Sequence, residues 1–156
     1  MNDDVVFEDM FRSTLGQPIN YKDKTLVLVD SMSVNDGEHI RIVFETTDSE
    51  WKQGISLVIE DGSIVVAGKE VKDKRGIGLW EDTAPKAVEL VTKTGKKPIS
   101  RLNIHNVWHN GRFIDYGHNG AAMWVEEIPN GRRYHCNDGH PDDDLNDLVF
   151  RIERMT

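Results

Sequence analysis

The sequence predicts an all-β fold: an antiparallel, jelly-roll-like β-sandwich with one short N-terminal helix. Three observations predict it. Apolar, β-branched runs of roughly five to eight residues recur through most of the chain. Turn residues separate them about every dozen positions, the spacing of sandwiches and barrels. Helical periodicity stands at the amino end, where Val6, Phe7, Met10, Phe11 and Leu15 fall on one face.

Taken in order, residues 2–15 read as the helix, capped by Asn2, Asp3 or Asp4 and stopped by Gly16 and Pro18. It is expected to lie across an end or edge of the sandwich, and it could serve a homodimer contact. Strands are expected over 25–29, 39–45, 54–60, 63–67, 76–80, 86–92, 99–108, 120–128, 132–136 and 148–152. Asp61-Gly62 between two such runs is a hairpin signal, and Asn35-Asp36-Gly37 is a turn. The charged stretch 69–75 is expected to be an exposed loop. The whole of 1–156 is expected to form a single domain, with the helix over 1–16 and the sandwich over 24–156.

Composition narrows the partners. The 156 residues are 38% hydrophobic and 29% charged, with a formal net charge of −8. An acidic protein is poorly suited to nucleic acid or an anionic membrane, both of which need a basic surface. It suits cations, neutral carbohydrate or a basic protein partner. The single Cys136 rules out an intrachain disulfide. No apolar run is long enough to span a membrane, and the amino end lacks a basic start followed by an apolar stretch. The default expectation is therefore the cytoplasm, with non-classical export open.

The stretch richest in chemistry is 137–147, Asn-Asp-Gly-His-Pro-Asp-Asp-Asp-Leu-Asn-Asp. So many carboxylates in one turn repel one another unless they splay into water or a hard cation collects them. Asp142, Asp144 and Asn146 occupy alternate positions, so in extended backbone they point the same way. Asp147 follows directly, and Asp138 could close the site from beyond Gly139. Calcium takes about six to eight oxygen ligands from such groups. The spacing also imitates an EF-hand loop. However, Asp147 stands where that loop requires glycine, and Gly139 and Pro141 forbid a preceding helix.

The run Asp142-Asp143-Asp144-Leu145-Asn146-Asp147-Leu148-Val149 resembles the calcium turn of small bacterial lectins that bind fucose and mannose. It also looks like the closing signature of a broader group of bacterial calcium-binding β-sandwich domains. The resemblance covers about the last twenty residues. It implies that Asp142, Asp144, Asn146 and Asp147 are calcium ligands, with Asp138 in the place of the preceding acidic residue. Leu145 stands where the lectins have an aromatic residue, and the spacing from Asp138 is one residue longer.

Further groups compete with this reading. Five of the six histidines, His105, His109, His118, His135 and His140, lie with Cys136 in the last third of the chain. That composition would allow a zinc-dependent hydrolase, although the spacing matches no closed zinc set. Asn119, His118 and Trp124, with His140, could form a sugar-binding mouth. For Trp80, Trp108 and Trp124 a core position is the simpler expectation, with Trp51 more exposed. Glu126 or Glu127 could add a ligand to the acidic loop. No nucleophile motif or phosphate loop stands out, and a non-enzymatic role is expected. The lead expectation is a calcium-binding, lectin-like module. The alternatives are an acidic interaction module, such as an inhibitor or immunity factor, and the zinc hydrolase.

Overall fold

The computed structural model describes residues 5–155. Its elements are α1 (Phe7–Ser13), β1 (Ile19–Tyr21), β2 (Lys24–Val27), β3 (Asp30–Asn35), β4 (His39–Thr47), β5 (Lys52–Ile59), β6 (Gly62–Val66), β7 (Lys69–Val71), β8 (Ile77–Trp80), β9 (Ala87–Thr94), β10 (Ile99–His109), β11 (Ile114–Asp115), β12 (Ala122–Ile128), β13 (Gly131–Asn137) and β14 (Leu148–Met155). One sheet has nine strands in the order β1-β2-β12-β13-β14-β4-β9-β6-β7. The other has five, counting β3, which pairs with β10 beside the path β11-β10-β5-β8. Every pairing is antiparallel. The result is an all-β sandwich. No helix among the described residues is long and apolar enough to cross a membrane.

Alternation along the strands builds the core. Ile40, Ile42, Phe44, Tyr134, Phe150 and Ile152 point inward from the large sheet, and Met32, Val34, Ile55, Leu57, Leu102 and Ile104 meet them from the small one. Each such side chain contributes about 1.5–3 kcal/mol on burial. Tyr134 and Phe150 stack at 4.7 Å between centroids. A second cluster, Phe7, Phe11, Ile19, Leu26, Ala122 and Leu145, seats the helix against the β1–β2 hairpin and the acidic loop. That second cluster fixes the loop from below.

Several expectations need correction. The helix is shorter than 2–15, because Val5 and Val6 are not helical. Val6 caps the helix without a side-chain bond, and Glu8 N donates instead to Asn119 O (2.8 Å), so neighbouring backbone takes up an amide that a side-chain cap would; Val5 N, ahead of the helix, donates to Pro141 O (2.9 Å). The caps expected at Asn2, Asp3 or Asp4 lie outside the described residues. Asp61-Gly62 does not close a hairpin. Strand β5 belongs to the small sheet and β6 to the large one, so this turn carries the chain between layers. Gly62 has φ +139°, and a Cβ there would stand 1.9 Å from Lys93 O, so only glycine fits the corner. The stretch 69–75 is not wholly loop, since Lys69–Val71 pairs with β6 as an edge strand. Strands β1, β3 and β11 were not expected.

Candidate cation site

The β13–β14 connection, residues 138–147, is held from beneath by two buried side chains. Asn137 donates its amide to Asp142 O (2.6 Å) and accepts from Leu145 N (2.7 Å). Its own carbonyl accepts from Asn106 Nδ2 (2.8 Å). Leu145 adopts a left-handed conformation, φ +53°, which turns its side chain into the second core cluster. Leu145 is thus an anchor of the loop.

Asp138 is fully buried, and its carboxylate is saturated. Oδ2 accepts from Ser49 Oγ (2.6 Å) and Gln53 Nε2 (3.0 Å). Oδ1 accepts from His140 N (2.9 Å) and lies 2.7 Å from His140 Nδ1. Burial alone would raise its pKa. The hydrogen bonds from Ser49 and His140 outweigh burial and hold it below the ordinary carboxylate value. The structure does not bring Asp138 into the converging aspartate group, contrary to expectation, because both its oxygens already face donors.

Asp142, Asp144 and Asp147 do converge. Each offers a carboxylate oxygen, and the three oxygens lie within 4.8 Å of one another. Asp144 is exposed and Asp147 buried. Asp147 Oδ2 accepts from Asp138 N (2.9 Å), while Asp142 Oδ1 is buried without a hydrogen-bond partner among the described residues. Burial, then the neighbouring Asp144 and Asp138, pushes Asp142 up to about 6. Burial, reinforced by the charges of Asp138, Asp142 and Asp144, pushes Asp147 up to about 8. Asn146 reaches Asp48 Oδ2 at 3.4 Å in one amide orientation and donates to both Asp144 oxygens (2.9 and 3.2 Å) in the other. The second orientation is favoured, since it removes an oxygen facing oxygens.

Asp143 turns the other way. It accepts from Tyr21 Oη (2.8 Å) and Lys22 Nζ (3.1 Å), tying the loop to the β1–β2 hairpin. The ion pairs of the loop involve Asp138, His140 and Asp143, so the three converging carboxylates have no basic side chain paired to them among the described residues.

A polar cavity of about 540 Å³ opens over the cluster, lined by Thr47, Asp48, Ser49, Glu50, His140, Asp142, Asp144 and Asp147. Half of that lining comes from residues 47–50, the end of β4 and the turn that follows it, which sequence reasoning missed. The signal was present, since Thr46-Thr47-Asp48-Ser49-Glu50 is an unbroken run of oxygen-bearing side chains. His140 is the sugar-mouth candidate that does reach this cavity. Its ring stacks on Trp51 at 3.8 Å and faces Glu50 Oε1 at 3.2 Å.

The other candidates lie elsewhere. Asn119 N donates to Glu8 Oε1 (3.0 Å) and its carbonyl accepts from Glu8 N (2.8 Å), and His118 pairs with Asp115 at 2.6 Å. Trp124 stacks on His135 at 4.4 Å, on the large sheet. Trp124 and Trp80 are half-buried, Trp108 is buried, and Trp51 is half-buried against Trp108. Glu126 engages Arg133 and His135, and Glu127 engages Arg132. The histidines do not gather: the aspartate triad is the one group of three or more metal-capable side chains among the described residues. The chain matches no family model, no curated protein and no solved structure.

Proposed function

We propose that this chain is a calcium-binding β-sandwich with a lectin-like role. Asp142, Asp144 and Asp147 would hold the ion, with Asn146 and Asp48 beside them. The observation that carries the reading is the unbalanced charge of the triad. Three carboxylates crowd together, one oxygen is buried without a partner among the described residues, and two of the groups have raised pKa values. A hard divalent cation relieves all three conditions at once. The donors are oxygens, which suits calcium or magnesium above zinc. The irregular, half-open set favours calcium, which tolerates varied coordination, over magnesium, which demands an octahedron. Bound there, calcium would supply an electrophilic seat for sugar hydroxyls at the cavity mouth.

Calorimetry with calcium chloride on the wild type and Asp144→Ala tests the reading. Asp144 is exposed, so its loss probes binding and not folding. The wild type is expected to bind and to gain thermal stability that chelator reverses, about 2.7 kcal/mol at a hundred times Kd. The variant is expected to bind at least about tenfold more weakly. Absence of heat and of thermal shift at millimolar calcium would overturn the proposal.

One observation supports a second reading. Asp48, Glu50 and Asp144 ring the same cavity, and a lysine or arginine of a basic protein would meet the same charge. A salt-sensitive complex indifferent to chelator would point to that acidic interaction module instead.

A further inference from the structure

The outer face of the five-stranded sheet carries a trough that shares no residue with the carboxylate cavity. Register aligns its outward residues in rows across β8, β5 and β10. Trp80, Gly54 and Val107 form one row, and Gly78, Ser56 and His105 form the next. The solvated face of an antiparallel sheet is ordinarily polar. These rows carry no carboxylate, lysine or arginine, in a chain that is 29% charged. Their centre is also stripped of bulk. A Cβ on Gly54 would stand 2.8 Å from Trp80 Cε3, so the indole lies against bare backbone. Ile114 and Tyr116, both exposed, stand across from it. The space enclosed is about 600 Å³, within the roughly 300–1,000 Å³ of small-molecule sites.

The polar groups of the trough are few and free. Neither the Ser56 hydroxyl nor the His105 ring hydrogen-bonds another described residue. His105 is half-buried, with the Tyr116 ring 5.2 Å away. Burial lowers its pKa, so the ring is neutral near pH 7 and offers one donor and one acceptor. Arg75, the one charged residue that lines the space, is paired through Nη2 to Asp73 at 3.1 Å.

These features specify a ligand. It must present a flat apolar face to the indole and hydroxyls to Ser56 and His105, and it must be uncharged. A lipid tail would leave the two polar groups unsatisfied, and an anion would meet a protein of net charge −8. We infer that the trough binds a neutral saccharide, with Trp80 as the stacking platform and Ser56, His105 and Tyr116 as its polar contacts. This site is additional to the calcium reading and stands without it.

The test is calorimetric titration with neutral gluco-, manno-, galacto- and xylo-oligosaccharides, with and without chelator. The variants are Trp80→Ala and Gly78→Leu. Gly78 is exposed, and a Cβ there meets nothing closer than 3.9 Å, so leucine fills the trough without disturbing the strand. At least one oligosaccharide is expected to bind the wild type equally with and without chelator. Affinity is expected to fall at least about tenfold in both variants and to survive in Asp144→Ala. The inference is overturned if no oligosaccharide binds, or if both variants bind like the wild type. Binding abolished by chelator and by Asp144→Ala would also overturn it while favouring the calcium seat.

Discussion

Asp138 and the triad Asp142, Asp144 and Asp147 share one loop and end in opposite electrostatic states. Asp138 is the more deeply buried, yet its pKa is held down, because four donor groups surround it. Asp147 is nearly as buried, and burial, reinforced by the charges of Asp138, Asp142 and Asp144, drives its pKa up, because a single backbone amide opposes it. Burial raises the pKa in both places; the donor count decides whether it prevails. A saturated carboxylate organises the loop, whereas an underserved group of them repels itself and is the proposed seat for positive charge.

The sharpest way to break this comparison is Asp138→Ala. It strands Ser49 Oγ, Gln53 Nε2 and His140, and should cost about 3–5 kcal/mol, as losing one partner of a buried charged network does. Urea denaturation measures it. A loss no larger than that of Asp144→Ala would erase the distinction.

Next in size is the dependence on pH. Asp142 and Asp147 titrate in the folded chain above their unfolded values of about 3.9, so the native state binds more protons there. Their contribution to stability is present below about pH 4 and declines as pH rises toward about 8. His140, whose folded pKa is also raised by Asp138 and Glu50 against the effect of burial, acts in the same direction. Asp138 has the opposite sign: its lowered value stabilises above about pH 4, and that is lost as pH falls through the folded value. Without divalent ions the protein should therefore be more stable at pH 5 than at pH 8. Saturating calcium, which favours the ionised carboxylates, should remove the alkaline decline. Urea midpoints at the two pH values, with calcium and with chelator, would show it; an ion-free profile rising from pH 5 to 8 would contradict it.

The smallest effect is expected from Asp143→Ala. That carboxylate belongs to neither group, and its partner Lys22 is exposed. The melting temperature should barely move and calcium affinity should be unchanged. A marked loss of affinity would mean that the β1–β2 hairpin, and not the loop's own clamp at Asn137, sets the geometry of the triad.

Much of this was legible in the sequence, and the failures have physical causes. Alternation exposed the long strands because each buries a full inward row. Strand β3 was missed although Met32 and Val34 alternate correctly, since only those two of its side chains are buried. Strand β7 was missed because Lys69 and Glu70 belong to an exposed edge, where charge is permitted. Asp61-Gly62 misled because a tight corner needs the same residues whether the chain folds back within a sheet or crosses to the other. In the acidic loop, alternate spacing grouped Asp142, Asp144 and Asn146 with Asp147 next to them, and the three aspartates of that group do converge. The role of Asp138 was not legible, because its donors Ser49 and Gln53 lie 89 and 85 positions away. The outer trough left no motif at all, since it arises from register between strands.

One backbone bond has a practical corollary. Val5 N donates to Pro141 O, the residue next to Asp142. Cargo fused ahead of Val5 would tug on the peptide that presents the first carboxylate of the triad. Strand β14 leaves that region at Leu148 and ends at Met155, roughly 25 Å away for eight extended residues. An affinity handle or surface tether therefore belongs after Met155.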